Sequence, residues 1–193
     1  MILRKLTWLS VLLLTAPAAA QEPRKDIASQ TAHRPTNPEM TAIFEADQAA
    51  RKGPDIEWVT VAKEDAARRK RVGELLGAGE LRSGDDFYHA AFVFQHGGEP
   101  SDYLKAHALA LVAVARGKEE ATWIAAATLD RYLMAIGQPQ IYGTQFQKRN
   151  DGWSQEPFAR ELLSDAMREA SRVPTIAMQE ERLAELTTRD AGE

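Results

Sequence analysis

The chain has 193 residues, a net charge of −4 from 24 basic and 28 acidic side chains, and no cysteine. This weakly acidic balance argues against a nucleic-acid partner, which needs clustered positive charge. Without cysteine there are no disulfides, so the core of a chain sized for one domain must hold the fold by itself.

In chain order, the first stretch reads as a secretory signal peptide over 1–20. Arg4 and Lys5 form a positive n-region, Leu6 to Thr15 an apolar h-region, and Ala18-Ala19-Ala20 a small-residue cleavage site. The apolar run is about ten residues and a bilayer span needs about 20, so no membrane span is expected in the mature chain. The expected location is outside the cytoplasm, periplasmic or secreted. Residues 21–36 are polar, carry Pro23, Pro35 and His33, and read as a flexible linker.

Residues 37–190 read as a single helical domain. Asn37-Pro38-Glu39 is a helix start, with Asn as N-cap and Pro in the first turn, and Met40, Ile43 and Phe44 give the stripe to about Lys52. Gly53-Pro54 stops it. A second helix is predicted from Ile56 to Gly77, with Trp58, Val61, Val72, Leu75 and Leu76 as core; Arg68 to Arg71 circle it and read as a solvated face. Ser83 to Asp86 cap a third helix, to His96, apolar nearly all round and expected buried. Ser101 caps a fourth, with Leu104, Ala108, Leu111 and Ala115 as its stripe and Gly117 past its end. A fifth runs from Glu119 to Ile136.

Lys148 to Gly152 is a polar turn. Pro157–Ser171 and Pro174–Thr188 read as two more helices, and the only extended pieces expected lie around Ile141 or Phe146. Short connections make neighbours antiparallel, and no repeat of about 34 residues is visible. The fold class is therefore all-α, an irregular bundle of antiparallel helix hairpins.

Three groups of polar residues could carry chemistry. His89, His96 and His107 suggest a metal site, but seven residues of helix rise about 10 Å, whereas paired histidines of helical zinc motifs sit four apart. No metal and no cofactor is expected; there is no phosphate loop and no nucleotide fingerprint. Asp47 and Arg51 share a helix face, which periodicity alone reads as a surface ion pair. Asp130 steps onto an apolar face with Trp123, Ala126, Ala127, Leu133 and Met134, so it needs a partner. Two readings fit it: a carboxylate that holds the following loop, or a ligand-binding group. Arg131 points about 100° away. The loop from Gln138 to Gln145 adds amides, the Tyr142 phenol and the Thr144 hydroxyl, with Gly143 allowing close backbone approach.

Taken together, Asp47-Gln48-x-x-Arg51, Gln95-His96, Leu129-Asp130-Arg131 and Gln140-x-Tyr142-Gly143-Thr144-Gln145 resemble a bacterial family of unknown function whose members carry these motifs in this order. The resemblance covers about Glu39 to Phe146. This chain has Gly77-Ala78-Gly79 and Gly84 where the family has a Gly-Trp-Pro element. The resemblance implies no activity, but it selects a binding set: Asp47, Arg51, Gln95, His96, Asp130, Arg131, Gln140, Tyr142, Thr144 and Gln145. These are expected to converge. Two function classes fit: a pocket for a small molecule or peptide, hydrolytic if a histidine acts as base with an Asp as orienter, and a helical interaction module whose polar cluster is structural.

Overall fold

The computed structural model describes residues 34–150 and 152–191. The signal peptide, His33 and all but the last three residues of the linker lie outside the described residues. Those residues form seven α-helices and one two-stranded ribbon. The fold is all-α in class.

Helix α1 (Pro38–Ala49) begins as the sequence dictates: the Asn37 side chain accepts from the Glu39 and Met40 N–H groups. Helix α2 (Trp58–Gly77) follows, then α3 (Gly84–Phe94), which starts on a capping box. The Ser83 hydroxyl accepts from the Asp86 N–H, and the Asp86 carboxylate accepts from the N–H groups of Ser83, Arg82 and Asn37. One buried acid thus ties the start of α1 to the start of α3. Helix α4 (Pro100–Ala115) is capped by Glu99, with Pro100 and Asp102 in its first turn, rather than by Ser101. Helix α5 (Ala121–Ala135) completes the core. No helix among the described residues is long and apolar enough to cross a membrane.

The core lies where α3, α4 and α5 meet, with Met40 of α1 and Val72 and Leu75 of α2 closing one side. Much of it is alanine: Ala90 and Ala91 of α3, Ala106, Ala110 and Ala113 of α4, and Ala121 and Ala127 of α5 are all buried. Small side chains let helices approach closely, so burial is shared among many weak contacts. As expected, no residue of α3 is exposed.

Two predicted stripes are corrected. In α4 the buried face is Ala106, Leu109, Ala110 and Ala113, whereas Leu104 and Leu111 are 44% and 51% exposed. Ala108 and Ala115 of the predicted stripe are exposed as well; apolar residues fall on more than one side of this helix, so periodicity does not select the buried face. In α2, Trp58 is 62% exposed, because the first turn, 57–60, overhangs the core and is exposed all round. Of the basic cluster, Lys70 and Arg71 are solvated, but Arg68 and Arg69 turn inward to ion pairs.

Beyond α5 the chain departs further from expectation. Strands β1 (Gln147–Arg149) and β2 (Gly152–Ser154) pair antiparallel around the predicted turn, Lys148 opposite Trp153. The helix expected over Pro157–Ser171 is instead an extended start, a 3₁₀ turn at Arg160–Leu162 and a short α6 (Asp165–Ala170). The reason is competing hydrogen bonds. Gln140 N–H donates to Pro157 O and Ala159 N–H to Gln140 O, which holds residues 157–159 extended; Ser164 then caps α6 afresh. The buried Arg168 guanidinium satisfies the carbonyls of Leu163 and Arg160 at this turn. Helix α7 (Ile176–Ala191) ends the described chain.

Candidate functional site

Eight of the ten residues selected from sequence fall into two hydrogen-bonded groups; Gln95 and Arg131 bond into neither.

The first group is built at the end of α1. Asp47 is fully buried, not part of a surface ion pair, because α2 and the end of α3 cover it. His96 Nδ1 lies 3.0 Å from Asp47 Oδ1, and the Gln48 amide donates to Oδ2 at 2.8 Å. A carboxylate only accepts, so Nδ1 is the nitrogen that donates here. Arg51 donates to the Asp47 carbonyl and carboxylate and reaches across to Asp65 of α2, which also holds Arg68. Arg69 donates to the carbonyl of His96 at 2.8 Å. Burial alone would raise the Asp47 carboxyl; the His96 hydrogen bond and charge, then Arg51 and Gln48, outweigh it and hold the group below the usual carboxylate range. Gln95 is buried beside this group as the C-cap of α3, its N–H closing the helix on Ala91 O.

The second group is the loop after α5. Asp130 is fully buried, and both oxygens are engaged by the loop. Oδ1 accepts from the N–H groups of Ile141 and Tyr142 at 2.8 and 3.0 Å, and Oδ2 from the N–H and hydroxyl of Thr144 at 2.9 and 2.8 Å. Four donors on one carboxylate answer the question left open by the sequence: Asp130 holds the loop. Gln140, also fully buried, donates to the carbonyls of Gln145 and Gln155 and accepts from Gln145 N–H. Tyr142 enters through its backbone, its N–H on Asp130 and its carbonyl on the Gln179 amide.

Two glutamines that the sequence reading missed complete this group. Gln155 donates to Gly143 O at 2.6 Å and to Gln179 Oε1 at 3.0 Å; Gln179, from α7, donates to Tyr142 O and Pro174 O. Gly143 sits at φ +82°, and a Cβ there would fall 2.0 Å from Gln179 Oε1 and 2.5 Å from the Phe158 ring. No spacing signal marks either glutamine, because the partners are backbone carbonyls distant in sequence. The acid that holds Asp47's arginine, Asp65, was visible only as part of a charged helix face.

Arg131 stands apart. It makes no hydrogen bond or ion pair with any described residue, and its Nε is buried without a partner. It lines a cavity of about 380 Å³ with Tyr103 of α4, Gln145, and Gln147 and Arg149 of β1. Met134, Ala135 and Pro157 supply the apolar part of the wall. Burial pushes the guanidinium down from the usual arginine range; Tyr103 raises it again and the charge of Arg51 adds to the lowering.

The three histidines go separate ways. His96 is on Asp47, His107 Nδ1 is 2.9 Å from Ala125 O, and His89 stacks on Phe44 at 4.2 Å between ring centroids with its Nδ1 buried and unpartnered. Among the described residues no three His, Cys, Asp or Glu side chains stand together as metal ligands would. Comparison with protein-family models, with curated proteins and with solved structures gives no match.

Proposed function

We propose that the chain is an exported binding protein for a small molecule, and that the ligand sits in the cavity over Arg131. The observation that carries this reading is the unpartnered guanidinium in the cavity wall. A buried donor without a partner costs about 1–3 kcal/mol; the Nε of Arg168 and the Nδ1 of His89 are orphaned as well, but Arg168 still meets two carbonyls, and neither residue lines this cavity. The cavity is of ligand size, apolar on one side with a few polar groups converging on the other. Export rests on the n-region, h-region and Ala18-Ala19-Ala20 pattern. Asp130, Gln140 and Thr144 shape the loop beside the cavity instead of meeting a ligand. The test is native mass spectrometry of the protein purified from its own periplasm. A retained small molecule, lost in Arg131→Gln, supports the reading; an empty wild-type protein that also fails to bind any member of a metabolite panel sinks it.

A second reading adds hydrolysis, carried by the Asp47–His96 pair. An acid on Nδ1 and a free Nε2 is the arrangement of a general base with its orienter. The orienter in this reading is Asp47. Ester and amide substrates turned over by wild type and not by His96→Gln would support this; equal turnover by both would end it.

A further inference from the structure

We infer that the ligand of the Arg131 cavity carries an anionic group, a carboxylate or a phosphate, seated between Arg131 and Arg149. This rests on the cavity being a binding site at all, and it names what the site takes. The chain as a whole is acidic, yet the cavity wall carries two arginines and no carboxylate. Other inward-turned arginines each have an acid or a set of carbonyls: Arg51 has Asp47 and Asp65, Arg68 has Asp65, Arg69 has Asp102, and Arg168 has two carbonyls. The Nε of Arg168 is buried without a partner too, but its terminal nitrogens are bonded; Arg131 alone among these has no described partner on any nitrogen.

Arg149 is aimed by its neighbours without being neutralised. One of its terminal nitrogens, Nη2, donates to Gln147 Oε1 at 3.2 Å and to the Glu156 carbonyl at 2.5 Å. It forms no ion pair with a described residue; the acid that feels its charge, Glu156, is itself held by Arg160 and by the Phe158 N–H. The planar guanidinium of Arg131 suits a two-oxygen anion, which it can meet with two parallel N–H donors. The Tyr103 phenol and Gln145 stand at the same wall for further hydrogen bonds. Met134, Ala135 and Pro157 give an apolar shelf for the rest of the molecule. The charge of an anion here would offset the cost of burial at the Arg131 guanidinium.

The experiment is a ¹⁵N-correlation titration of the chain from Gln21 with three probes at constant ionic strength: malonate, inorganic phosphate and the neutral isostere malonamide. The expected result is saturable shifts at Tyr103, Gly137, Gln145 and Gln147 and at Arg131 Nε, with malonate or phosphate and not with malonamide. Whichever of the two anions binds tighter identifies the group. Arg131→Gln should weaken binding about tenfold or more, the loss of a charge-assisted bidentate contact. Arg149→Gln, at an exposed residue, should weaken it several-fold, which keeps the test sound should the first variant fold poorly. Malonamide binding as well as malonate, unaffected by either variant, would overturn the anionic class and leave the cavity a binding site. Shifts absent with all three probes, or scattered over surface arginines and unchanged in the variants, would overturn both.

Discussion

Two adjacent side chains on α5 open onto opposite kinds of interior. Asp130 faces the loop, and its oxygens receive four donors from Ile141, Tyr142 and Thr144. Arg131 faces a cavity, and its buried Nε donates to no described residue. Both are charges taken from water, a step that is costly unless compensated. The loop region is compensated by the chain's own backbone, so it is closed. The Arg131 Nε is left uncompensated by the described chain, and this is the group the proposed ligand would meet.

The comparison is broken most severely at Gly143. Gly143→Ala puts a Cβ into Gln179 and Phe158 at a left-handed φ, and is expected to destabilise by about 4 kcal/mol from backbone strain and overpacking combined. Thermal unfolding should then fall by about 10 °C. An unchanged melting temperature would mean that the loop does not pack as described. Next comes Asp130→Asn, which swaps one acceptor oxygen for an amide facing N–H donors. About 2–3 kcal/mol should be lost, seen as a lower urea midpoint. If stability instead holds or rises, Asp130 belongs with Arg131 and not with the loop.

A smaller effect concerns pH. Burial holds the His89 imidazole below its ordinary 6.5, against the opposing charges of Asp85, Asp86 and Glu45 and with that of Lys118; the rings of Phe44 and Tyr88 lie against it. A base with a lowered folded pKa binds its proton more weakly in the folded state. As pH falls through 6.5 the unfolded chain takes up the proton first, and stability declines. His89→Phe should lose less stability than wild type between pH 7.5 and 5.5, measured by urea unfolding at both. Identical pH slopes would count against a buried neutral imidazole. The smallest effect is that of Arg131→Met. Removing a desolvated charge that has no partner should leave stability unchanged or raise it by up to about 1 kcal/mol. A clear loss would show that the guanidinium has a structural partner and that the contrast with Asp130 is false.

The helical class and most helix starts were legible in the sequence, because caps are local chemistry. Asn37-Pro38 and Ser83-x-x-Asp86 state their roles within four residues. The buried face of α4 was not legible, since a helix of alanine, leucine and valine offers no polar side to read. The chain beyond Gln145 was misread for another reason. Its conformation is set by Gln140, Gln155 and Gln179, which act on backbone groups up to 37 residues away. No window of local periodicity contains such a contact. The Asp47 environment lies between these cases: the spacing to Arg51 was visible and the resemblance put His96 in the same set, but the reach of Arg51 to Asp65 was not visible.

One carboxylate beneath three loop amides has a kinetic consequence. The N–H groups of Ile141, Tyr142 and Thr144 all rest on Asp130, so none can be released to solvent without disturbing the others' shared acceptor. In hydrogen–deuterium exchange they should behave as a single opening unit: slow for a loop, similar to one another, and faster than the amides of α5 beneath them. A segment without regular secondary structure would then show the collective protection usually associated with a helix or strand.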